Sequence, residues 1–184
     1  NLRTAKETLT YICGGKGEAI YRPSFTFQGF RYIRVAAYPG EVKKENFTAW
    51  AVHSDMRDTG HFFCSNPLLN QLQHNISWGL KGNFLDIPTD CPQRDERLGW
   101  TGDAQIFCRT ATFLKDTYTF FSKWLKDVAA DQAPNGAVPH VVPDILTNRS
   151  DDDWLVGEGN SMGATAWGDV AVIAPWTLYM SYGD

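Results

Sequence analysis

The spacing of apolar positions changes near residue 60. Before that point the chain alternates in steps of two. Residues 25–35, read as Phe25-Thr26-Phe27-Gln28-Gly29-Phe30-Arg31-Tyr32-Ile33-Arg34-Val35, mix aromatic and β-branched side chains and predict a strand. The alternation slips over residues 30–35, as it does at a bulge or in a strand buried on both faces. Tyr38-Pro39-Gly40 reads as a turn, and residues 48–53 as a second strand. Short strands joined by Pro/Gly turns predict an antiparallel β-sandwich, of which residues 1–58 would be the C-terminal part.

Beyond residue 60 the period is helical. Asn66 stands where an N-cap would, with Pro67 at the first helical position and Leu69, Leu72, Ile76 and Leu80 along one stripe. Two further helical patterns cover residues 103–114 and 116–130, the second carrying Tyr118, Phe121, Trp124, Leu125 and Val128. A last one spans about 168–182, where Pro175 predicts a kink or an early break. Between the helices lie two long aperiodic stretches, 83–102 and 133–163. Helical hairpins whose connections build a site are the architecture this suggests, because structureless loops of such length in a compact domain are commonly functional.

Composition narrows the function. The charge balance is 17 Lys and Arg against 21 Asp and Glu, a net −4, with no basic cluster to track a phosphate backbone, so a nucleic-acid partner is not expected. No run approaches the roughly 20 apolar residues of a membrane helix, so no membrane partner is expected either. Aromatic residues make up 14% of the chain, including 7 Trp, which suits a large core and also the flat walls of a sugar-binding cleft. Cys13, Cys64, Cys91 and Cys108 form no CxxC pair and no zinc spacing, and read as small buried hydrophobes that leave the compartment open. Sequons at Asn46, Asn75 and Asn148 carry little weight, since such triplets arise by chance. A first residue other than methionine suggests an internal piece of something longer.

The chemistry concentrates in residues 85–103, where Asp86, Asp90, Asp95, Glu96 and Asp103 are interleaved with Arg94, Arg97 and Trp100. An ordinary solvated loop would pair these charges with one another. Two further uses fit. Carboxylates and an arginine can hold neighbouring sugar hydroxyls while an indole covers the C–H face, and a desolvated carboxyl among like charges could protonate a leaving oxygen. Alternatively, clustered Asp residues could hold Mg²⁺ or Ca²⁺, as in a metal-dependent phosphatase or nuclease, although the spacing matches no EF-hand and the arginines oppose a cation. No cofactor or metal is expected.

The run from Asp90 to Gln105 (Asp90-Cys91-Pro92-Gln93-Arg94-Asp95-Glu96-Arg97-Leu98-Gly99-Trp100-Thr101-Gly102-Asp103-Ala104-Gln105) closely resembles the signature of the bacterial α-L-rhamnosidases of glycoside hydrolase family 78. Residues 25–32, Gly136-Ala137-Val138-Pro139, Ala166-Trp167-Gly168-Asp169, Pro175-Trp176 and Tyr182-Gly183-Asp184 resemble other stretches of that family. The resemblance implies a mixed fold, the end of an antiparallel β-sandwich (1–58) followed by the first part of an (α/α)6 barrel (59–184). It further implies hydrolysis of terminal α-L-rhamnosyl linkages with inversion, on rhamnose-containing glycosides or polysaccharides. By position, Glu96 matches the general acid, and Asp90, Arg94, Trp100 and Asp103 match rhamnose contacts. Trp154 matches a further aromatic wall, while Trp167 and Asp169 read as packing and a helix cap. The family's general base is a glutamate far downstream, outside these residues. The chain is therefore expected to be an inactive piece on its own, whose essential partner is the remainder of its polypeptide. A non-catalytic carbohydrate-binding module is the alternative, with retention of Glu96 against it.

Overall fold

The computed structural model describes residues 4–147 and 162–184. From residue 67 onward the elements run α1 (Pro67–Asn83), β1 (Phe84–Leu85), β2 (Ile87–Pro88), α2 (Thr101–Leu114), α3 (Tyr118–Asp131) and α4 (Val170–Tyr182). The Asn66 side chain accepts from the Leu68 amide and Pro67 opens α1, as the sequence predicts. Helix α4 packs against both α2 and α3. It continues through Pro175, so the expected break does not occur. β1 and β2 form a minimal antiparallel hairpin, Phe84 opposite Pro88, that turns on Asp86 in the left-handed region (φ 67°). Ser54 pins this hairpin, its amide donating to the Phe84 carbonyl (2.8 Å) and its hydroxyl accepting from the Asp86 amide (2.8 Å).

The strands expected over 25–35 and 48–53 are not formed among the described residues. Within 4–53 the backbone–backbone hydrogen bonds are confined to a single-turn helix at Lys44–Asn46. The sequence alternates in part as a strand's does, but a strand is half of a ladder and needs a neighbour to accept its amides. Without one, Phe25 and Tyr32 stay exposed.

The core lies between α2, α3, α4 and the Phe84 hairpin. Phe84 stacks on Phe120 (ring centroids 4.6 Å apart) and meets Phe121 edge-on at 5.6 Å, with Trp124 continuing the cluster. Phe121 and Trp124 are fully buried. The stripe expected on α1 behaves otherwise: Leu80 is buried, while Leu69 and Leu72 face outward. Cys91 and Cys108 are buried as small hydrophobes, whereas Cys13 is exposed and Cys64 half-buried.

Three links tie this core to the aperiodic stretches. The Trp124 indole donates to the Val142 carbonyl (3.1 Å), and the Val142 amide donates to the Gly99 carbonyl (2.9 Å). Thr101 at the start of α2 donates its amide to the His140 carbonyl (2.9 Å). On the far side, residues 57–60 strap the α2–α3 connection: Lys115 is buried and pairs with Asp58, and Asp116 donates its amide to the Arg57 carbonyl (2.8 Å).

Two substitutions test this arrangement in the polypeptide that carries the chain. Phe121→Ala should cost about 3–5 kcal/mol, as large-to-small changes in full cores do. Gly99→Ala adds a single methyl, but that Cβ would lie 2.2 Å from the Val142 carbonyl oxygen, so the 99–101 and 140–142 stretches must separate. A loss of about 1–3 kcal/mol in urea unfolding is expected for it.

Candidate functional site

Residues 89–100 close on themselves. The Asp90 amide donates to the Leu98 carbonyl (3.1 Å), and Asp90 Oδ1 accepts from the Leu98 amide (3.2 Å). Thr89 ties the entry, its amide and hydroxyl both donating to the Asn83 carbonyl. Trp100 closes the exit, bridged to Val141. The loop is thus a fixed frame, and its side chains point in set directions.

Four of the six expected site residues meet inside that frame. Arg94 stands between two carboxylates, with Nη2 3.2 Å from Asp90 Oδ2 and Nε 2.8 Å from Glu96 Oε2. Glu96 Oε1 accepts from the Trp100 indole N–H at 3.0 Å. The side chains of Asp90 and Glu96 are only 9% and 6% exposed. Buried carboxylates need such partners, because removing a charge from water without compensation costs several kcal/mol. Asp95 was expected to crowd Glu96 as a like charge. It turns away instead, its carboxylate held below the usual range by the hydroxyl and backbone amides of the Thr4–Ala5 segment.

Asp103 sits in the first turn of α2 and joins through space. Burial of its carboxyl and the nearby negative charge of Glu96 push it above the ordinary carboxylate value, although the residue as a whole stays exposed at the mouth of a cleft. Asp90 is pushed up in the same way, by burial first and by Glu96 as well. The cleft has a volume of about 560 Å³ and its walls include Leu80, Phe84, Asp90, Asp103, Ile106 and Trp167. Arg94, Glu96 and Trp100 are not among its walls; they adjoin it behind Asp90. Trp154 lies outside the described residues.

Three residues in or beside this region were not singled out as site residues from the sequence. Trp167 packs its indole over the start of α2, where a Cβ on Gly102 would come within 3.0–3.2 Å of the ring. The sequence suggests a packing role for this residue, and it both packs and lines the cleft. His140 lies 5.8 Å from the Trp167 ring, and burial pushes its imidazole below the ordinary value. It directly follows the Gly136–Pro139 stretch, so the motif itself was the available signal. Cys91 is buried within the signature, and its Sγ lies within 4.8 Å of carboxylate oxygens of Asp90 and Glu96. Asp169, read as a helix cap, starts α4 but accepts from the Ala166 amide (2.9 Å) instead of from the first turn.

Asp90, Cys91 and Glu96 offer three ligand atoms, yet they make a poor cation site. Arg94 already bridges both carboxylates, and burial pushes the Cys91 thiol up to about 11, which keeps it protonated near neutral pH. A divalent ion would have to displace a guanidinium and ionise a buried thiol. The donor set suits a polyhydroxylated ligand better, since carboxylate oxygens accept from paired hydroxyls beside an indole face.

Comparison with known proteins agrees in kind. Residues 57–184 match the family model of the bacterial alpha-L-rhamnosidase six-hairpin glycosidase domain, and residues 1–53 match that of the bacterial alpha-L-rhamnosidase concanavalin-like domain. An alpha-L-rhamnosidase of Formosa agariphila is 45% identical over the whole chain, which covers 19% of that protein. One from Streptomyces avermitilis is 44% identical, with 17% of its length covered. The chain thus spans about a fifth of the curated relatives it matches. Among solved structures, the Streptomyces avermitilis alpha-L-rhamnosidase complexed with L-rhamnose superposes with a TM-score of 0.63 at 41% identity, over 72% of this chain and 12% of that one. The native enzyme from Aspergillus terreus gives 0.62 at 51% identity, over 72% and 14%. A signature loop folded around Arg94, helices in the predicted order and a matched model over 57–184 lead to one conclusion: the chain belongs to the bacterial alpha-L-rhamnosidase family, through its six-hairpin glycosidase domain.

Proposed function

We propose that the polypeptide carrying this chain hydrolyses terminal α-L-rhamnosyl linkages of glycosides or polysaccharides with inversion, and that Glu96 is its general acid. The observation that carries the reading is the buried Glu96 carboxyl, fixed by Arg94 and Trp100 beside Asp90 in a chain of this family. In the reaction Glu96 gives its proton to the glycosidic oxygen as the C1–O bond breaks. A water attacks C1 from the opposite face, and a second carboxyl group takes its proton. Inversion needs the two carboxyl groups roughly 6.5–9.5 Å apart. The second is assigned to another segment of the longer polypeptide, in keeping with relatives five times the length of this chain.

Residues 1–58 are assigned to the end of a β-sandwich and 59–184 to the first part of an (α/α)6 barrel, a division supported by the change of matching family model between residues 53 and 57. Asp90, Arg94 and Asp103 bind the ring hydroxyls in this reading. Trp100, which adjoins the cleft behind Asp90, and Trp154 are assigned the apolar faces that suit the C–H face and the methyl group of a 6-deoxy sugar. Arg94 cannot be the acid itself, since a guanidinium does not give up its proton in proteins.

Three measurements on the full polypeptide test the assignment. Glu96→Gln should lower kcat by several orders of magnitude on alkyl rhamnosides, whose leaving oxygen needs a proton, and much less on 4-nitrophenyl α-L-rhamnoside. Equal losses on the two would count against the acid role. Asp90→Asn should weaken binding of free L-rhamnose, read by calorimetry, because a hydroxyl pair then faces an amide in place of a carboxylate.

The third concerns pH. Asp103 holds its proton more tightly folded than unfolded, so its share of stability is full below the ordinary carboxylate value of about 3.9 and is lost as pH rises through the folded value. Asp103→Asn should therefore raise the melting temperature near neutral pH, with the gain vanishing below about pH 4. His140 has the opposite slope. Held below its ordinary value, it favours the fold above about pH 6.5 and loses that share as pH falls.

A further inference from the structure

The run Arg94-Asp95-Glu96-Arg97 divides its side chains between two faces. Arg94 and Glu96 turn inward to Asp90 and Trp100. Asp95 and Arg97 turn outward and are gripped by the N-terminal segment. One Asp95 oxygen accepts from the backbone amides of Thr4 and Ala5, each at 3.0 Å, and from the Thr4 hydroxyl. The Arg97 guanidinium donates from Nη1 to the Phe27 carbonyl (2.8 Å), meets Glu7 Oε1 from Nη2 (3.2 Å), and lies 4.5 Å from the Phe27 ring centroid. The pair is sheltered, with the Arg97 and Glu7 side chains 21% and 11% exposed.

The backbones themselves touch. A Cβ on Gly29 would lie 2.2 Å from the Pro92 carbonyl oxygen, so the 27–29 stretch reaches the loop only because residue 29 has no side chain. Arg97 is held in the left-handed region, at φ 50°, a conformation that a non-glycine residue keeps only when its surroundings fix it. Here the surroundings are Glu7 and Phe27, residues 90 and 70 positions away in sequence.

We propose that Asp95 and Arg97 are positioning residues: by anchoring the positions on either side of Glu96 to the N-terminal segment, they set where the Glu96 carboxyl stands. The inference rests on the reading of Glu96 as the general acid. Residues 95 and 97 are both held from the side away from Asp90 and Trp100, so a grip on the two leaves residue 96 between them little freedom inside. A carboxyl displaced by about 1 Å loses a large part of its catalytic advantage, of the order of 100-fold. A structural clamp at a distant place would lower stability and active fraction equally for every substrate. A clamp acting through Glu96 affects only reactions that need its proton.

The test uses the full polypeptide with an alkyl and a 4-nitrophenyl α-L-rhamnoside. Arg97→Ala should lower kcat on the alkyl substrate roughly 10- to 100-fold, with less than about threefold loss on the nitrophenyl substrate and little change in KM. Glu7→Gln should give the same pattern more weakly, since it keeps the shape and removes the charge. In a Glu96→Gln background the additional effect of Arg97→Ala should disappear. Equal losses on the two substrates, or an undiminished Arg97→Ala effect without Glu96, would overturn the proposal. Should Arg97→Ala fail to melt cooperatively, Arg97→Lys and Glu7→Gln decide by the same ratio of the two substrates. If Glu96→Gln shows no leaving-group dependence, the acid reading falls and takes this inference with it. If it does while Glu7→Gln and the Arg97 variants do not, the positioning role alone falls.

Discussion

Everything in the candidate site depends on one guanidinium. Asp90 and Glu96 are buried side by side, and two carboxylates so placed would repel each other in a medium that screens poorly. Arg94 lies between them and bonds both, from two different nitrogens. A planar fork can do this; a lysine ammonium, a point charge on a flexible stem, would choose one partner. Asp90 is then free to use its other oxygen on the Leu98 amide, which closes the loop. Glu96 uses its other oxygen on the Trp100 indole, which aligns the tryptophan at the start of α2. The loop's shape and the site's electrostatics are thus the same set of bonds.

That loop is wired into the hydrophobic core through backbone groups, not through large side chains. Trp124, fully buried, spends its one polar atom on the Val142 carbonyl, and Val142 in turn holds Gly99. The aromatic cluster of Phe84, Phe120 and Phe121 fixes Trp124 in place. Buried polar atoms must find partners, and here the partners chosen are the segments that flank the site. Core rigidity reaches the loop of the candidate site by way of two carbonyls.

The helices were legible because each carries its own evidence: Asn66-Pro67 opens α1, and the three- and four-residue spacing of Phe121, Trp124 and Val128 marks the buried face of α3. Their packing order was not. Leu69 and Leu72 satisfy the periodic pattern yet face outward, because period identifies an apolar face and not what covers it. Strand character in 25–35 was equally visible, but whether a ladder forms depends on a neighbour that no local pattern supplies. Within the site, the signature run located Asp90, Arg94, Glu96 and Trp100 together. It could not say that Asp95, adjacent to Glu96, faces the opposite way, nor that Gly102 is small because the Trp167 ring lies on it. Those facts depend on contacts between residues about 60 to 90 positions apart, which sequence spacing does not record.

The alternation of faces through Arg94-Asp95-Glu96-Arg97 has a bearing on how such a loop can change. Connecting segments ordinarily accept insertions and deletions, since a longer or shorter excursion alters little else. In this one, removing or adding a single residue before position 96 would exchange the two faces at once. A residue added before Arg94 would bring Asp95 into the place of Glu96 and carry Glu96 to that of Arg97, whereas a residue removed there would present Glu96 to the amides of Thr4 and Ala5 and bring Arg97 into its place. The segment carries no regular secondary structure, yet its length is constrained as the register of a β-ladder is, because one step moves every side chain to a neighbour's place.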